Sequence, residues 1–233
     1  PYTTLFRSVA LESFEEELDS AEKLIKAVKP LVNPLLSVGG SPPVLVPKQA
    51  ERVIGLAFLG VVAAWDEFLQ EAFSRYMAGA TSPSSFAPSL RLGKCDTIDH
   101  AIDVLATEHE FDLEKGYLTW SSFPSVQSRA KVFFRDGLPF CDARITPGHV
   151  EHLASAQKVR NRVAHKSDKC VAEFLKVYAK LTNTPTGSGN QGADASRLLL
   201  AKPVGWLASK STDSVAEAFL ATYRELSKVI VPP

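Results

Sequence analysis

Arg160-Asn161-Arg162-Val163-Ala164-His165 gathers two arginines, an amide and a histidine within two helical turns. A guanidinium is always charged and meets phosphate oxygens through a planar fork of donors. An imidazole takes up or releases a proton near neutral pH. A cation that holds a phosphate, beside a group that moves protons, is the equipment for cleaving a phosphodiester without a metal. On an ideal helix, residues four apart point within about 40° of one another, so Asn161 and His165 share a face. Arg162, three residues from His165, lies near that face. Arg160 is five residues away, about 140° round, and reaches a common site only through its length or where the helix ends or tightens. One copy of the motif is therefore incomplete as a catalytic site.

The segments that must position these residues read as helices. Pro147 opens the helix that carries the motif and ends near His165. Before it, Leu11–Val32 is amphipathic, with Phe14, Leu18, Leu24, Ile25, Val28 and Leu31 recurring at three-to-four spacing and Glu15-Glu16-Glu17 and Lys23 facing outward. Gly39-Gly40-Ser41-Pro42-Pro43 breaks the pattern, and Pro47 suits the first turn of a long helix to about Met77. The centre of that helix, Val53 to Phe68, is apolar nearly all round and predicts a central, buried helix. Short helices are expected over Asp99–Thr107, with Ile98, Ile102 and Leu105 on one side, and over Gln127–Phe134. After the motif, Lys169–Leu181 repeats Val171, Phe174, Leu175 and Tyr178. Residues 182–196 read as a flexible loop. Leu198-Leu199-Leu200 suits a short strand or packed turn, and Ser214–Val229 closes the chain with Val215, Phe219, Tyr223, Leu226 and Ile230 on one face. Long helices dominate and strong strands are missing, so the predicted fold is an all-α bundle.

Gln157-Lys158-Val159-Arg160-Asn161-Arg162-Val163-Ala164-His165 resembles the signature of the HEPN superfamily: an arginine, four to six residues, then a histidine, with a polar residue commonly following the arginine. A second segment agrees. The run Gly60–Phe73, with Trp65-Asp66-Glu67-Phe68-Leu69 at its centre, is similar to the upstream helix of bacterial HEPN-like nucleases of the RiboL-PSP and MAE types. The resemblance implies one HEPN-like domain over residues 1–233, with residues 79–146 inserted between the second and third core helices. It implies a homodimer in which two motif copies face one cleft, and metal-independent cleavage of RNA that leaves a 2′,3′-cyclic phosphate. Arg160 would stabilise the phosphate, His165 would transfer protons, Asn161 would orient the histidine or a phosphate oxygen, and Arg162 would be auxiliary, as would at most one of Asp66 and Glu67, which otherwise read as ordinary exposed charges beside a buried Trp65. A toxin or defence effector controlled by an antitoxin or another partner is the implied setting. The alternative is a catalytically silent HEPN-like module that binds RNA, a nucleotide or a protein through the same groove. A plain helical scaffold is a third reading: basic residues near a helix C-terminus favour the negative end of the macrodipole, and capping alone accounts for Arg160, Arg162, His165 and Lys166.

Composition sets bounds. Lys+Arg and Asp+Glu both number 26, giving a net charge of zero, so any RNA contact must come from a local patch. Cys95, Cys141 and Cys170 are few, odd in number and without a CxxC pair, which fits a reducing cytoplasm and no disulfide framework. No uninterrupted apolar run suggests a membrane span, the longest being broken at Trp65-Asp66-Glu67. There is no recognisable signal peptide, and Pro1 reads as a missing or processed start. His149 and His152 flank Glu151 and could hold one face of a metal, but two ligands without a third are not a site; neither metal nor cofactor is expected. His100 and His109 lie in an acidic stretch and read as solvated. Phe123, Phe133, Phe134 and Phe140 read as packing rather than as a base-stacking platform.

Overall fold

The computed structural model describes residues 9–32, 46–108, 119–184 and 193–233. The Gly39–Pro43 break, His109 and most of the 182–196 loop lie outside these residues, as does Pro1. The fold is all-α. Its helices are α1 (Val9–Val32), α2 (Pro47–Met77), α3 (Ile98–Glu108), α4 (Phe123–Phe133), α5 (Pro147–Ala164), α6 (Asp168–Thr182), α7 (Ala195–Leu200) and α8 (Val215–Ile230). Short 3₁₀ turns cover Arg135–Gly137 and Gly205–Ser209. Among the described residues the only β-pairing is an isolated bridge between Leu90 and Phe134.

Side-chain chemistry sets several helix ends. Ser167 caps α6 by accepting from the Cys170 N–H at 3.4 Å, and Asn183 closes it in a left-handed conformation, φ 54°. Asp194 caps α7 by accepting from the Ser196 and Arg197 N–H groups. Before α8, Ser214 Oγ accepts from the Glu217 N–H and donates to the Glu217 carboxylate at 2.6 Å. The chain leaves α2 through Gly79 at φ +78°, where a Cβ would lie 2.6 Å from Lys94 Cε.

Contacts divide the chain into two compact units. The first takes in the described residues within Pro1–Glu15, Ala64–Glu151 and Arg224–Pro233. Its core is aromatic. Trp65 and Phe68 pack on Phe14 with ring centroids 5.5 and 5.1 Å away, and Trp65 also meets Phe123. Phe73 is ringed by Trp120, Phe133, Phe134 and Phe140 at 4.8–6.1 Å. Phe123, Phe133, Phe134 and Phe140 thus lie inside, where each buried ring contributes about 1.5–3 kcal/mol. The Tyr76 hydroxyl donates to the Ile230 carbonyl at 2.8 Å, and burial pushes its ionisation above the ordinary range. The second unit takes in the described residues within Glu16–Ala63 and His152–Tyr223. Its core joins Leu18, Ile25 and Val28 of α1, Ile54 and Phe58 of α2, Ala156 and Val159 of α5, Phe174 of α6 and Phe219 of α8. Phe58 and Phe219 meet with centroids 5.4 Å apart.

Four expectations change. Leu24 is 42% exposed, because the buried stripe of α1 is Phe14, Leu18, Ala21, Ile25 and Val28. In α3 the buried pair is Ala101 and Leu105, and Ile102 faces outward. Leu198-Leu199-Leu200 is the end of a short helix capped by Asp194, which also takes in Ala195 and Ser196, so the expected loop is shorter than 182–196. Finally, α2 is not buried all round: Leu56 is 53% exposed, and Gly60 and Glu67 are exposed too. By length and composition alone, α2 is long and apolar enough to cross a membrane, contrary to the reading that it is interrupted at Trp65-Asp66-Glu67; 44% of that window is buried.

Candidate functional site

The motif occupies the last turn of α5 and the residue beyond it, within the second unit. The apolar residues Ala156 and Val159 anchor this end of the helix in the core. A close approach fixes it further. A Cβ at Gly55 of α2 would lie 2.8 Å from Ser196 Oγ of α7 and 3.4 Å from Val163 Cγ1 of α5. A larger residue there would have to turn the Ser196 hydroxyl aside. Arg197 Nε donates to Glu51 Oε1 at 3.0 Å, tying α7 to α2 one turn earlier. Lys158 Nζ meets Glu173 Oε2 at 3.1 Å and links α5 to α6. Glu173 also pairs with Lys176 at 2.8 Å, and hydrogen bonds from Lys176 and then Lys158 hold its carboxyl below its ordinary value.

The helix continues far enough to carry the motif in helical geometry, since the His165 N–H donates to the Asn161 carbonyl at 2.8 Å. Arg160, Asn161 and Arg162 are half-buried, whereas His165 and Lys166 are exposed. Arg160 Nη1 donates to Asn161 Oδ1 at 3.2 Å. This bond couples Arg160 to Asn161, the residue that shares a helix face with His165. Arg162 Nη1 donates to the His165 carbonyl at 3.4 Å, a weak contact to the end of its own helix. Both guanidinium groups keep donors in reserve: Arg160 Nε and Arg162 Nε are buried without a hydrogen-bond partner among the described residues. An arginine has five N–H donors, and burying one unpaired is costly. Neither guanidinium is bonded to the His165 imidazole among the described residues.

Asp66 and Glu67 lie on the part of α2 that belongs to the first unit, with Asp66 half-buried and Glu67 exposed. The upstream histidines have structural partners. His149 Nδ1 accepts from the Thr146 N–H at 3.1 Å and lies 2.8 Å from Thr146 Oγ1, while its own N–H donates back to Thr146 Oγ1 at 3.4 Å. This is a reciprocal cap on α5, with histidine in the place glutamate often takes. Its Nε2 faces Glu225 Oε1 at 3.5 Å. His152 is buried against Trp206, rings stacked at 4.2 Å, and Lys210 Nζ lies 4.6 Å from the centroid of that indole. Among the described residues no three or more His, Cys, Asp or Glu side chains are grouped to hold a metal ion. His100 is exposed. All three cysteines are free, and burial raises the Cys95 and Cys141 thiols above their ordinary value.

Sequence reasoning missed Gly55, Ser196, Glu51 and Glu173, the residues that brace the motif. Each acts across a tertiary contact, and only the Asp194 cap before Ser196 leaves a local signal. No protein-family model, curated protein or solved structure matches this chain.

Proposed function

We propose that the protein is a metal-independent endoribonuclease whose site is formed by the C-terminal turn of α5 from two copies of the chain. The observation that carries this reading is one helix end that gathers two half-buried arginines, one of them bonded to Asn161, and an exposed His165. Guanidinium groups and an exposed imidazole are what a phosphodiester with a 2′-hydroxyl would engage. In the reaction, the 2′-oxygen attacks the adjacent phosphorus and loses its proton to one His165. The P–O5′ bond breaks, and the second copy's His165 protonates the departing 5′-oxygen. The guanidinium of Arg160 holds the charge that develops on the non-bridging oxygens, and Asn161 fixes that guanidinium through the bond at 3.2 Å. The products are a 2′,3′-cyclic phosphate and a 5′-hydroxyl. The setting is cytoplasmic, as a toxin or defence effector whose partner keeps it in check.

The second reading, a silent module that binds RNA, a nucleotide or a protein, is favoured by one observation. Arg162 donates to the His165 carbonyl at the end of α5, as a capping residue would, and Arg160 already gives one donor to the Asn161 side chain. The test is incubation of the purified protein with single-stranded RNA in excess chelator, with the ends of the fragments determined. Cleavage to cyclic-phosphate ends is expected, and Arg160→Ala should slow it by about 10²–10³-fold, the scale for removing a charge-stabilising donor. Binding without cleavage would move the assignment to the silent module.

A further inference from the structure

One corner of the first unit gathers cations that no ion pair uses. The Arg91 N–H donates to the Phe133 carbonyl at 2.9 Å and the Arg135 N–H to the Ser89 carbonyl at 2.8 Å, on either side of the Leu90–Phe134 bridge. The segments around these bonds, residues 89–95 and 131–137, carry Arg91, Lys94, Lys131 and Arg135, all exposed, against a single acid, Asp136. Arg91 and Arg135 are diagonal neighbours across the bridge, about 7–8 Å apart. Arg91 Nη1 donates to the Lys131 carbonyl at 2.7 Å, which keeps the rest of its guanidinium fork beside the last turn of α4. None of the four cations forms an ion pair among the described residues. In a chain of zero net charge this is a local positive field.

Apolar side chains stand in the same corner. Leu92 is 66% exposed and Val132 is 38% exposed. Leu92 belongs to a short loop pinned at both ends, by the Arg91 bond to Phe133 and by the Cys95 N–H, which donates to the Met77 carbonyl at 2.9 Å. Cys95 is buried, whereas Leu92, Gly93 and Lys94 between the two pins are exposed. Gly93 has φ +91°, and a Cβ there would meet nothing within 4 Å, so the loop turns in open space. The loop presents a leucine between two cations on a fixed base. Val132 follows Lys131, whose carbonyl takes the Arg91 bond, so the second apolar residue is next to the point where that guanidinium docks.

A lone exposed leucine is ordinary on a protein surface. Two exposed apolar residues among four unpaired cations match a partner that is anionic and apolar at once. RNA would use the cations and leave Leu92 in water. Phe133 and Phe134, the rings of this corner, are buried and offer a base nothing to stack on. A phospholipid surface meets both needs, since its headgroups face the cations and its acyl boundary takes the leucine. We infer that this corner docks on an anionic phospholipid surface, with Leu92 entering the acyl boundary and the four cations on the headgroups. The docking is peripheral and uses no residue of the α5 motif, so it stands whether or not the chain cleaves RNA.

Sedimentation of the full chain with vesicles tests the inference. Phosphatidylcholine vesicles holding about a quarter phosphatidylserine should carry the protein down at low salt, and phosphatidylcholine alone should not. Raising the salt from about 0.05 to 0.5 M should release most of it. Lys94→Glu together with Arg135→Glu should lower partitioning by about 10²-fold or more, since each cation near such a surface contributes about fivefold. Leu92→Ser should lower it by about tenfold through the lost apolar insertion. All three positions are exposed, and both variants should melt like the wild type. Arg91 is left in place because its side chain is bonded to α4. No sedimentation with the phosphatidylserine vesicles overturns the inference. So does equal sedimentation with phosphatidylcholine alone, or partitioning that both variants leave unchanged. Loss of RNA affinity in the double variant, with vesicle binding at the wild-type level, makes the corner a nucleic-acid surface instead. The His165→Ala protein should bind vesicles as the wild type does, so failure of the nuclease and failure of this surface are read separately.

Discussion

The two ends of α5 use the same residue types in opposite ways. At the start, His149 is buried and its Nδ1 and backbone N–H are engaged with Thr146. At the finish, His165 is exposed, and Arg160 and Arg162 each bury an Nε that has no partner among the described residues. A histidine locked into a cap has its tautomer chosen for it: while Nδ1 accepts from the Thr146 N–H, the proton sits on Nε2. A histidine with a free ring can exchange protons with whatever docks. The difference separates a residue that holds a helix from one available for chemistry, and residue type alone does not make that distinction.

The sharpest way to break the comparison is to remove each histidine in turn. His165→Ala should lower RNA cleavage by about 10²–10⁴-fold, the range for a general acid or base. Its melting temperature should stay near wild type, since exposed positions away from buried networks usually change stability by within about 0.5 kcal/mol. His149→Ala should do the reverse. It removes a buried ring and a cap, at a cost of about 1–3 kcal/mol, and leaves the rate per folded molecule close to wild type. Thermal melts beside single-turnover cleavage read both effects. Equal cleavage by the folded His165 variant and the wild type would make both ends of α5 structural.

The difference between the ends also marks what was legible in sequence. Helical periodicity placed α1, α2, α5, α6 and α8 to within a few residues, because each repeats apolar side chains over many turns and is bounded by Pro, Gly or a capping residue. The same signal erred where apolar residues outnumber the places to bury them. Leu24 and Leu56 are apolar and exposed, and periodicity counted them as core. Leu198–Leu200 is too short for any period to decide, and the Asp194 cap makes it helical. At the motif, the sequence supplied the residues and their common face. It did not supply the Arg160–Asn161 bond or the glycine contact at Gly55, which depend on rotamers and on helices distant in sequence.

A finer cut compares the two arginines. Arg160 is coupled to Asn161, on the His165 face, whereas Arg162 reaches the His165 carbonyl, which belongs to the end of the helix. Arg162→Ala should therefore slow cleavage by less than the Arg160 change, by about tenfold or under, and lower stability by a few tenths of a kcal/mol through the lost terminal contact. Reversed ranks in the kinetics would exchange the roles of the two side chains and leave the site in place.

The smallest expected effect lies one turn back from the motif. Glu173 holds Lys158, two residues before Arg160 on α5, and its carboxyl is kept low by Lys176 and Lys158. A carboxyl whose folded value is depressed adds stability above its unfolded value, near 4.5, and that contribution is lost as pH falls through the lower folded value. Glu173→Gln should flatten the acid side of a plot of urea midpoint against pH and leave the neutral side nearly unchanged, since the pair is exposed. The same change frees the Lys158 cation beside the motif. If RNA lies across the end of α5, affinity should rise by about two- to threefold at low salt, and the gain should fade as salt screens the added charge. A capping role for the arginines predicts no change in RNA affinity at any salt. A fluorescence-anisotropy titration of the His165→Ala protein, with and without Glu173→Gln, makes the measurement without cleavage eroding the ligand. A gain confined to low salt places the phosphate backbone within reach of Lys158; a flat response leaves the end of α5 as a capped terminus.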